Sequence, residues 1–309
     1  MTKPQAPLAV DRLRPLTLDA QAHPRGQAHI AAASGLVCAH GRAYVIGDDE
    51  QQLAVYADAT SVGELHRIVA GKLPRGKAAR KKRKPDFESL FLLNAGTLVA
   101  LGSGSRPTRE RGVLVALNRA GIPLAAQEPF QLAPLYEPLR ARLDGVNIEG
   151  AFTLGDELVL LQRGLTSGSN GSSDAGDASM SLHYRLGDFA QVIDGSRSAL
   201  HPHALRPFAL GELDGVPLAF TDGCALPGGG WAFTAVAEDS RSSYADGPCR
   251  GSAVGIVGAD GRLQSLRRLA VPHKVEGIAA LADRGGVALF MVTDADDPDV
   301  ASWLLSARL

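Results

Sequence analysis

Five oxygen-bearing side chains recur along this chain in one kind of setting: Ser34, Glu88, Glu149, Asp222 and Glu276. Each is followed by a small residue and then by an apolar run, as in Ile148-Glu149-Gly150-Ala151 and Val275-Glu276-Gly277-Ile278. A donor set made only of oxygens suits a hard cation, calcium in particular, which takes roughly six to eight oxygens in loose geometry. Gathered together without an ion, four carboxylates could not all stay ionised, since two like charges ~4 Å apart repel by roughly 4 kcal/mol at an effective dielectric near 20. They would be protonated, or paired with a nearby lysine, Lys84 and Lys274 being the candidates, or neutralised by a metal. The plainest alternative leaves them apart, as strand-start residues facing water.

What would gather them is a ring of similar units. The five positions lie roughly 54 to 73 residues apart, long for a propeller blade of ~40 to 50 residues but compatible with blades carrying extended loops. Behind each comes a second apolar run, at 43–46, 97–101, 157–161, 231–236 and 287–292, and then a third, at 53–56, 113–117, 181–185, 253–257 and 303–307. These runs are short, rich in Val, Leu and aromatics, and punctuated by Gly, Asn and Asp, which is strand and turn chemistry. Fourth strands are expected at 64–69, 124–130, 190–193 and 263–270. The fifth unit lacks one because the chain stops, and residues 13–18, which belong to no other unit, supply it; closing a ring this way leaves no open sheet edge. The expected fold is therefore all-β, a single five-bladed β-propeller over residues 1–309, with a six-bladed ring as the alternative if the 149–222 interval hides a blade.

In such a ring the first strand of each blade lines the central channel, so Ser34, Glu88, Glu149, Asp222 and Glu276 are expected at one height around the axis as a metal-binding set. Cations cluster nearby in sequence. Arg80-Lys81-Lys82-Arg83-Lys84 precedes Glu88, where it could form a collar that attracts anions, or simply a solvated loop. The loop from Gly102 to Arg111 carries Arg106 and Arg109, a composition suited to phosphate or carboxylate. The stretch 133–143 reads as a short helix with Leu135, Leu139 and Leu143 on one face, a packing element. The Gly/Ser-rich segment 167–174 is too polar to pack. Asp294 and its acidic neighbours lack the Gly and Glu an EF-hand requires, although Asp294 is placed to add a carboxylate at the channel mouth. His201 and His203 read as a loop pair rather than a metal site.

The placement of Ser in the first unit and Glu in the second, third and fifth resembles the five-bladed calcium-activated nucleotidases (apyrases), whose Ser/Glu ring holds calcium in the channel. Asp86-Phe87-Glu88-Ser89-Leu90 and Lys274-Val275-Glu276-Gly277-Ile278 are also similar to the Glu-Gly motifs of phytase-like and SdiA-regulated bacterial propellers. The resemblance implies calcium in the channel and an Arg-bearing loop beside it, here Arg106 and Arg109. Asp222 departs from it, standing where the nucleotidase pattern has a neutral ligand.

Composition excludes several other classes. Net charge is −1, so no global field marks a nucleic-acid or membrane-surface protein. The three cysteines, Cys38, Cys224 and Cys249, have neither disulfide-framework nor zinc spacing, and the N-terminus lacks the apolar run of a signal peptide, so a cytoplasmic location is expected. There is no dinucleotide, Walker or nucleophile-elbow motif, and no organic cofactor is expected. The expected function is a calcium-binding propeller that hydrolyses an anionic phosphoester or phosphoanhydride, with a lactone as the lesser variant. Glu88 and Glu149 would be its catalytic carboxylates, and Lys84, Arg106, Arg109 and Lys274 its substrate-binding cations. The alternative is a non-catalytic scaffold that binds a protein or a small anion.

Overall fold

The Val-, Leu- and aromatic-rich runs pair as five antiparallel sheets in a computed structural model that describes residues 6–125, 128–164, 179–239 and 248–309. The segment 167–174 lies outside the described residues. From the axis outward, blade 1 consists of Ala33–Ala39, Arg42–Gly47, Gln52–Tyr56 and Glu64–Arg67; blade 2 of Phe87–Asn94, Thr97–Gly102, Arg111–Ala116 and Phe130–Gln131. Blade 3 comprises Ile148–Leu154, Glu157–Gln162, Ser179–Arg185 and Ala204–Phe208; blade 4 comprises Val216–Ala225, Trp231–Glu238, Cys249–Val257 and Leu263–Arg268, with Glu212–Leu213 paired to the start of its inner strand. Blade 5 runs through Lys274–Asp283, Gly286–Asp294 and Trp303–Arg308, and its outer place is taken by Asp11–Pro15.

The fold is thus a five-bladed β-propeller closed by its N-terminal strand, with no sixth sheet among the described residues. Closure is reinforced beyond the strand itself. Leu8 bridges to Leu269 of blade 4, and the backbone carbonyls of Ala6 and Pro7 accept from the Arg267 guanidinium, so the N-terminal arm ties the last blade to the one before it.

Two outer strands differ from their sequence expectation. The segment 190–193 belongs to the helix Leu186–Ile193, whose Phe189 and Val192 are buried three residues apart, a helical rather than an alternating spacing; the outer strand of blade 3 is Ala204–Phe208 instead. In blade 2 the outer strand among the described residues is Phe130–Gln131, after Pro129, with a further bridge from Leu117 to Pro123. The expected packing helix spans Ala133–Arg140, with Leu135, Tyr136 and Leu139 buried.

Hydrophobic burial is organised by the gaps between blades. Each junction has its own cluster: Tyr44, Ile46, Phe87 and Leu98 between blades 1 and 2; Phe91, Leu101, Leu158 and Leu160 between blades 2 and 3, capped by Tyr136 and Phe189. Phe152, Phe220, Trp231 and Phe233 pack between blades 3 and 4, Ala232, Val275 and Leu289 between blades 4 and 5, and Leu16, Leu36, Val45 and Val292 between blades 5 and 1. With the apolar core distributed around the ring, the axis is left to polar side chains. No helix among the described residues is long and apolar enough to cross a membrane.

Removing residues 1–15 deletes the outer strand of blade 5 and the buried Leu8, which is 3% exposed and whose burial alone is worth roughly 1.5–3 kcal/mol. The truncated chain should unfold at clearly lower urea concentration than the full chain; an unchanged midpoint would show that ring closure does not depend on this arm.

Candidate functional site

The inner strands carry an irregularity that builds the site. Each is interrupted at one residue by a β-bulge, and that residue is Ser34 in blade 1, Glu88 in blade 2, Glu149 in blade 3, Thr221 in blade 4 and Glu276 in blade 5. A bulge re-aims its residue and steepens the local twist, and here it turns three glutamates toward the mouth of the channel. The equivalent position in blade 4 is therefore Thr221, and Asp222 is corrected out of the ring by one residue. Ser34 and Thr221 share a second role. Each hydroxyl donates to the carbonyl just before the next glutamate: Ser34 Oγ to Phe87 O at 2.6 Å, and Thr221 Oγ1 to Val275 O at 2.8 Å.

The residue after the bulge faces the backbone of the next blade, which explains the recurring small residue. A Cβ on Gly150 would lie 2.7 Å from Asp222 Cα, and one on Gly277 would lie 2.9 Å from Leu36 N. Asp222 occupies this layer, 1% exposed, where its Oδ2 accepts from the Ile278 N–H at 3.0 Å. Burial pushes its carboxyl well above the ordinary range, and it does not line the cavity above. Its role in the structure is to join blades 4 and 5.

That cavity, of about 440 Å³, opens at the channel mouth and holds Ser34, Glu88, Glu149 and Glu276 in its wall. Loops and strand ends add Asp48, Asp86, Glu238, Asp294 and Asp296, of which only Asp294 was foreseen from sequence, together with Arg163, which was not. Ten carboxylates and eight cationic side chains line it among the described residues, and no aromatic ring does.

The two sides of the cavity differ. Toward blades 3, 4 and 5, Arg163 donates through Nη2 to Glu238 Oε2 at 2.5 Å and lies 3.4 Å from Glu149 Oε2, while Asn147 Nδ2 donates to the other oxygen of Glu149 at 2.5 Å. Lys274 stands 3.0 Å from Asp296, 3.3 Å from Asp294 and Glu276, and 3.8 Å from Glu238. Burial alone would lower the Lys274 pKa, but Glu276, Asp294, Glu238 and Asp296 overcome it and hold the ammonium charged. Burial pushes Glu276 up to about 7, against the pull of Lys274.

Toward blades 1 and 2, Asp86 sits at the entry to its strand with φ of 56°, a left-handed conformation costly for a non-glycine residue and of the kind that collects at functional sites. Its carboxylate receives Lys84 at 2.9 Å, Arg109 at 2.6 Å and the Ser103 hydroxyl at 2.6 Å. Lys84 also pairs with Asp48. Asp48, Asp86 and Glu88 each place a carboxylate oxygen within 4.8 Å of the others, the only such triple among the described residues. Glu88 makes no hydrogen bond or ion pair to any described residue. Burial, then the charges of Asp86, Glu149 and Asp48, push its carboxyl well above the ordinary range, with Lys84 opposing; Asp48 is pushed up to about 6, by burial first.

The cations read from sequence as an anion collar are largely engaged. Arg80 is bound to Asp49 at 3.3 Å and to the Pro74 and Arg75 carbonyls, Lys84 to Asp48 and Asp86, and Arg109 to Asp86 and to the Ser105 hydroxyl at 2.8 Å. Three consecutive acids, Asp48, Asp49 and Glu50, meet Lys84, Arg80 and Arg25 respectively, so an acidic loop of blade 1 neutralises the basic segment ahead of blade 2. Arg106 does not line the cavity. His203 pairs with Glu157 at 2.8 Å, away from the channel, and the three cysteines are free thiols.

A model of a family of unknown function (DUF6929) matches residues 29–309, and the chain belongs to that family. No curated protein sequence matches it. Among solved structures it is similar to a calcium-binding protein, regucalcin, of Agrobacterium tumefaciens, at 9% identity and TM-score 0.47, covering 100% of this chain and 96% of the other. It is also similar to a luciferin-regenerating enzyme, at 10% identity and TM-score 0.47 over 91% and 92% of the two chains. The PQQ-bound aldose sugar dehydrogenase of Streptomyces coelicolor gives 13% identity and TM-score 0.47 over 99% and 100%. At these identities the likeness is one of fold alone, and none of these structures is a nucleotidase or a phytase.

The raised carboxyl of Glu276 has a measurable sign. A group whose folded pKa lies near 7 against an ordinary 4.5 binds more protons folded than unfolded, so its contribution to stability falls as pH rises through that window. Replacing Glu276 with Gln, which resembles the protonated acid, should make the protein more stable than wild type in EDTA at pH 8 and narrow that advantage at pH 5. A difference that is flat with pH would mean that Glu276 keeps its charge in the folded protein.

Proposed function

We propose that the channel mouth of this propeller binds a divalent cation, calcium, on Asp48, Asp86 and Glu88, and that a small anionic ligand is received beside it. The carrying observation is the convergence of three carboxylate oxygens within 4.8 Å around a glutamate that has no partner of its own. Lys84 supplies one positive charge to this cluster and Arg109 another, which leaves three carboxylates undercompensated. The donors are all oxygen, and three carboxylates leave coordination places for water or ligand, which fits calcium better than a softer or more tightly coordinated metal. Glu149, braced by Asn147 and Arg163, and Glu276, beside Lys274, are less available as ligands; Ser34 and Asp222 are committed to backbone contacts.

In the hydrolytic form of this reading the bound ion would polarise a phosphoryl or acyl oxygen of the ligand. Glu149, whose carboxyl burial raises toward the working range of a general base, would take a proton from the attacking water. Arg109 and Lys84, freed in part as the ion takes over Asp86, would face the anion; Arg106 would approach only from outside the cavity wall. The absence of an aromatic ring among the described lining residues favours a phosphoester, phosphoanhydride or lactone without a stacked base over a nucleotide. The non-catalytic reading is favoured by the pairing of nearly every channel cation, and in it the ion joins blades 1 and 2 while the channel face receives a protein or a small anion.

Calcium should raise the melting temperature reversibly with EDTA, the gain reaching ~2.7 kcal/mol at one hundred times the dissociation constant, and Glu88→Gln should remove the gain. No shift at millimolar calcium would sink the metal site. Turnover of p-nitrophenyl phosphate, pyrophosphate or a simple lactone that requires calcium and is lost in Glu149→Gln would establish the enzyme; calcium binding without turnover of any of them supports the scaffold.

A further inference from the structure

Eight cationic side chains line the cavity, and most of them are held by its acids. Asp49 binds Arg25 at 2.9 Å and Arg80 at 3.3 Å, Asp86 binds Lys84 and Arg109, Glu238 binds Arg163 and Asp296 binds Lys274, while Lys81 is engaged as well. Arg75 is the exception. It is exposed, it lines the same cavity, and its guanidinium forms no hydrogen bond or ion pair with any described residue. The backbone beneath it is nevertheless held firmly. Arg80, only 7% exposed, donates through Nε to the Pro74 carbonyl at 3.1 Å and through Nη2 to the Arg75 carbonyl at 2.7 Å, keeping Nη1 for Asp49. Its own backbone N–H closes a helical turn on the Gly76 carbonyl at 2.9 Å, and the ring of Pro74 fixes φ just ahead of Arg75. Burying a guanidinium is costly unless its donors are used, and here two of them are spent on an exposed turn.

A free guanidinium on a pinned backbone is prepared for a planar anion. Its donors form a rigid fork that matches a carboxylate or phosphate through two parallel hydrogen bonds, and the turn that carries it need not be ordered again when the anion arrives. We infer that Arg75 is the specificity-determining residue for the anion that this cavity receives, gripping its carboxylate or phosphate group through that fork, and that Arg80 is the residue that positions it. The inference rests on the reading of the cavity as an anion site; it does not depend on the bound ion or on hydrolysis. Lys84 and Arg109 must first leave Asp86, whereas Arg75 has no such partner to leave. Lys82 and Arg83, in the same basic segment, are exposed but do not line the cavity, so they add to the field around the mouth without touching the ligand.

The test is the affinity of the whole chain for two probes, inorganic phosphate and glycolate, by isothermal titration in calcium and again in EDTA. Wild type should bind at least one of them. Arg75→Ala should weaken that binding at least about tenfold, the order expected for a charge-assisted pair of hydrogen bonds, and Arg75→Lys should recover only part of it. Lys82→Ala, which removes the same charge from outside the cavity, should leave the affinity within about twofold. Arg80→Lys should weaken binding on its own and have no further effect beside Arg75→Ala, as a residue acting through Arg75 must, with circular dichroism confirming that each variant is folded. Equal binding by wild type and Arg75→Ala, or an equal loss in Lys82→Ala, overturns the role of Arg75 and leaves the anion reading standing. An Arg80→Lys loss of the same size with and without Arg75 overturns the positioning role of Arg80. No binding of either probe by wild type overturns the anion reading, and the assignment with it.

Discussion

Five inner strands meet at one axis, and the bulge in three of them turns a glutamate toward the same opening. Everything notable at the channel mouth follows from the need to compensate that charge. Arg163 is drawn in from the loop after the second strand of blade 3, Lys274 from the start of blade 5, Lys84 from the segment before the inner strand of blade 2 and Arg109 from the loop after that blade's second strand. They do not suffice, because loops that bring cations also bring Asp48, Asp86, Asp294 and Asp296. The remaining imbalance appears as carboxyls pushed upward at Glu88, Glu149 and Glu276, with burial as the leading cause in each. Perturbed carboxyls gathered at a concave opening mark a candidate functional site.

The blade junctions make the arrangement affordable. Apolar burial is spread over five clusters that lie between sheets and not at the axis, so the polar layer at the mouth is added to a ring already held together elsewhere. Hydroxyls and small residues tie the inner strands below it. Ser34 and Thr221 fasten the segments that carry Glu88 and Glu276, while Gly150 and Gly277 allow neighbouring backbones to approach more closely than any side chain permits.

The ring of blades was legible in the sequence because strand and turn chemistry is local. Alternating runs and Gly-Asp-Asn turns located the inner three strands of every blade within a few residues, and the orphan N-terminal run identified the closing strand. The outer strands were less legible, since weakly buried strands and short helices share similar composition; the 190–193 segment reads as a strand by composition, yet it belongs to the helix Leu186–Ile193, with Phe189 and Val192 buried three residues apart. At the site the limit was register. Choosing the carboxylate in Thr221-Asp222-Gly223 placed the wrong residue in the ring, whereas the hydroxyl of Thr221 repeats the chemistry of Ser34 at the corresponding bulge. Arg163, Glu238, Asp48 and Asp86 stand at strand ends and in loops, where nothing in the one-dimensional pattern says which side chains will meet. Three of them carry a usable signal: Asp48 and Arg163 directly follow, and Glu238 ends, the second strand of its blade, the height at which Asp294 is expected to reach the mouth.

The central claim is that the glutamate left without a partner marks an ion site. Crystals grown in calcium, with anomalous difference density measured at a long wavelength, test it most directly. The account predicts a peak within coordination distance, ~2.3–2.6 Å, of Glu88, Asp86 and Asp48, with Lys84 turned away from Asp48. Strong density at the protein with none between those three carboxylates, and Lys84 still seated on Asp48 and Asp86, would contradict it.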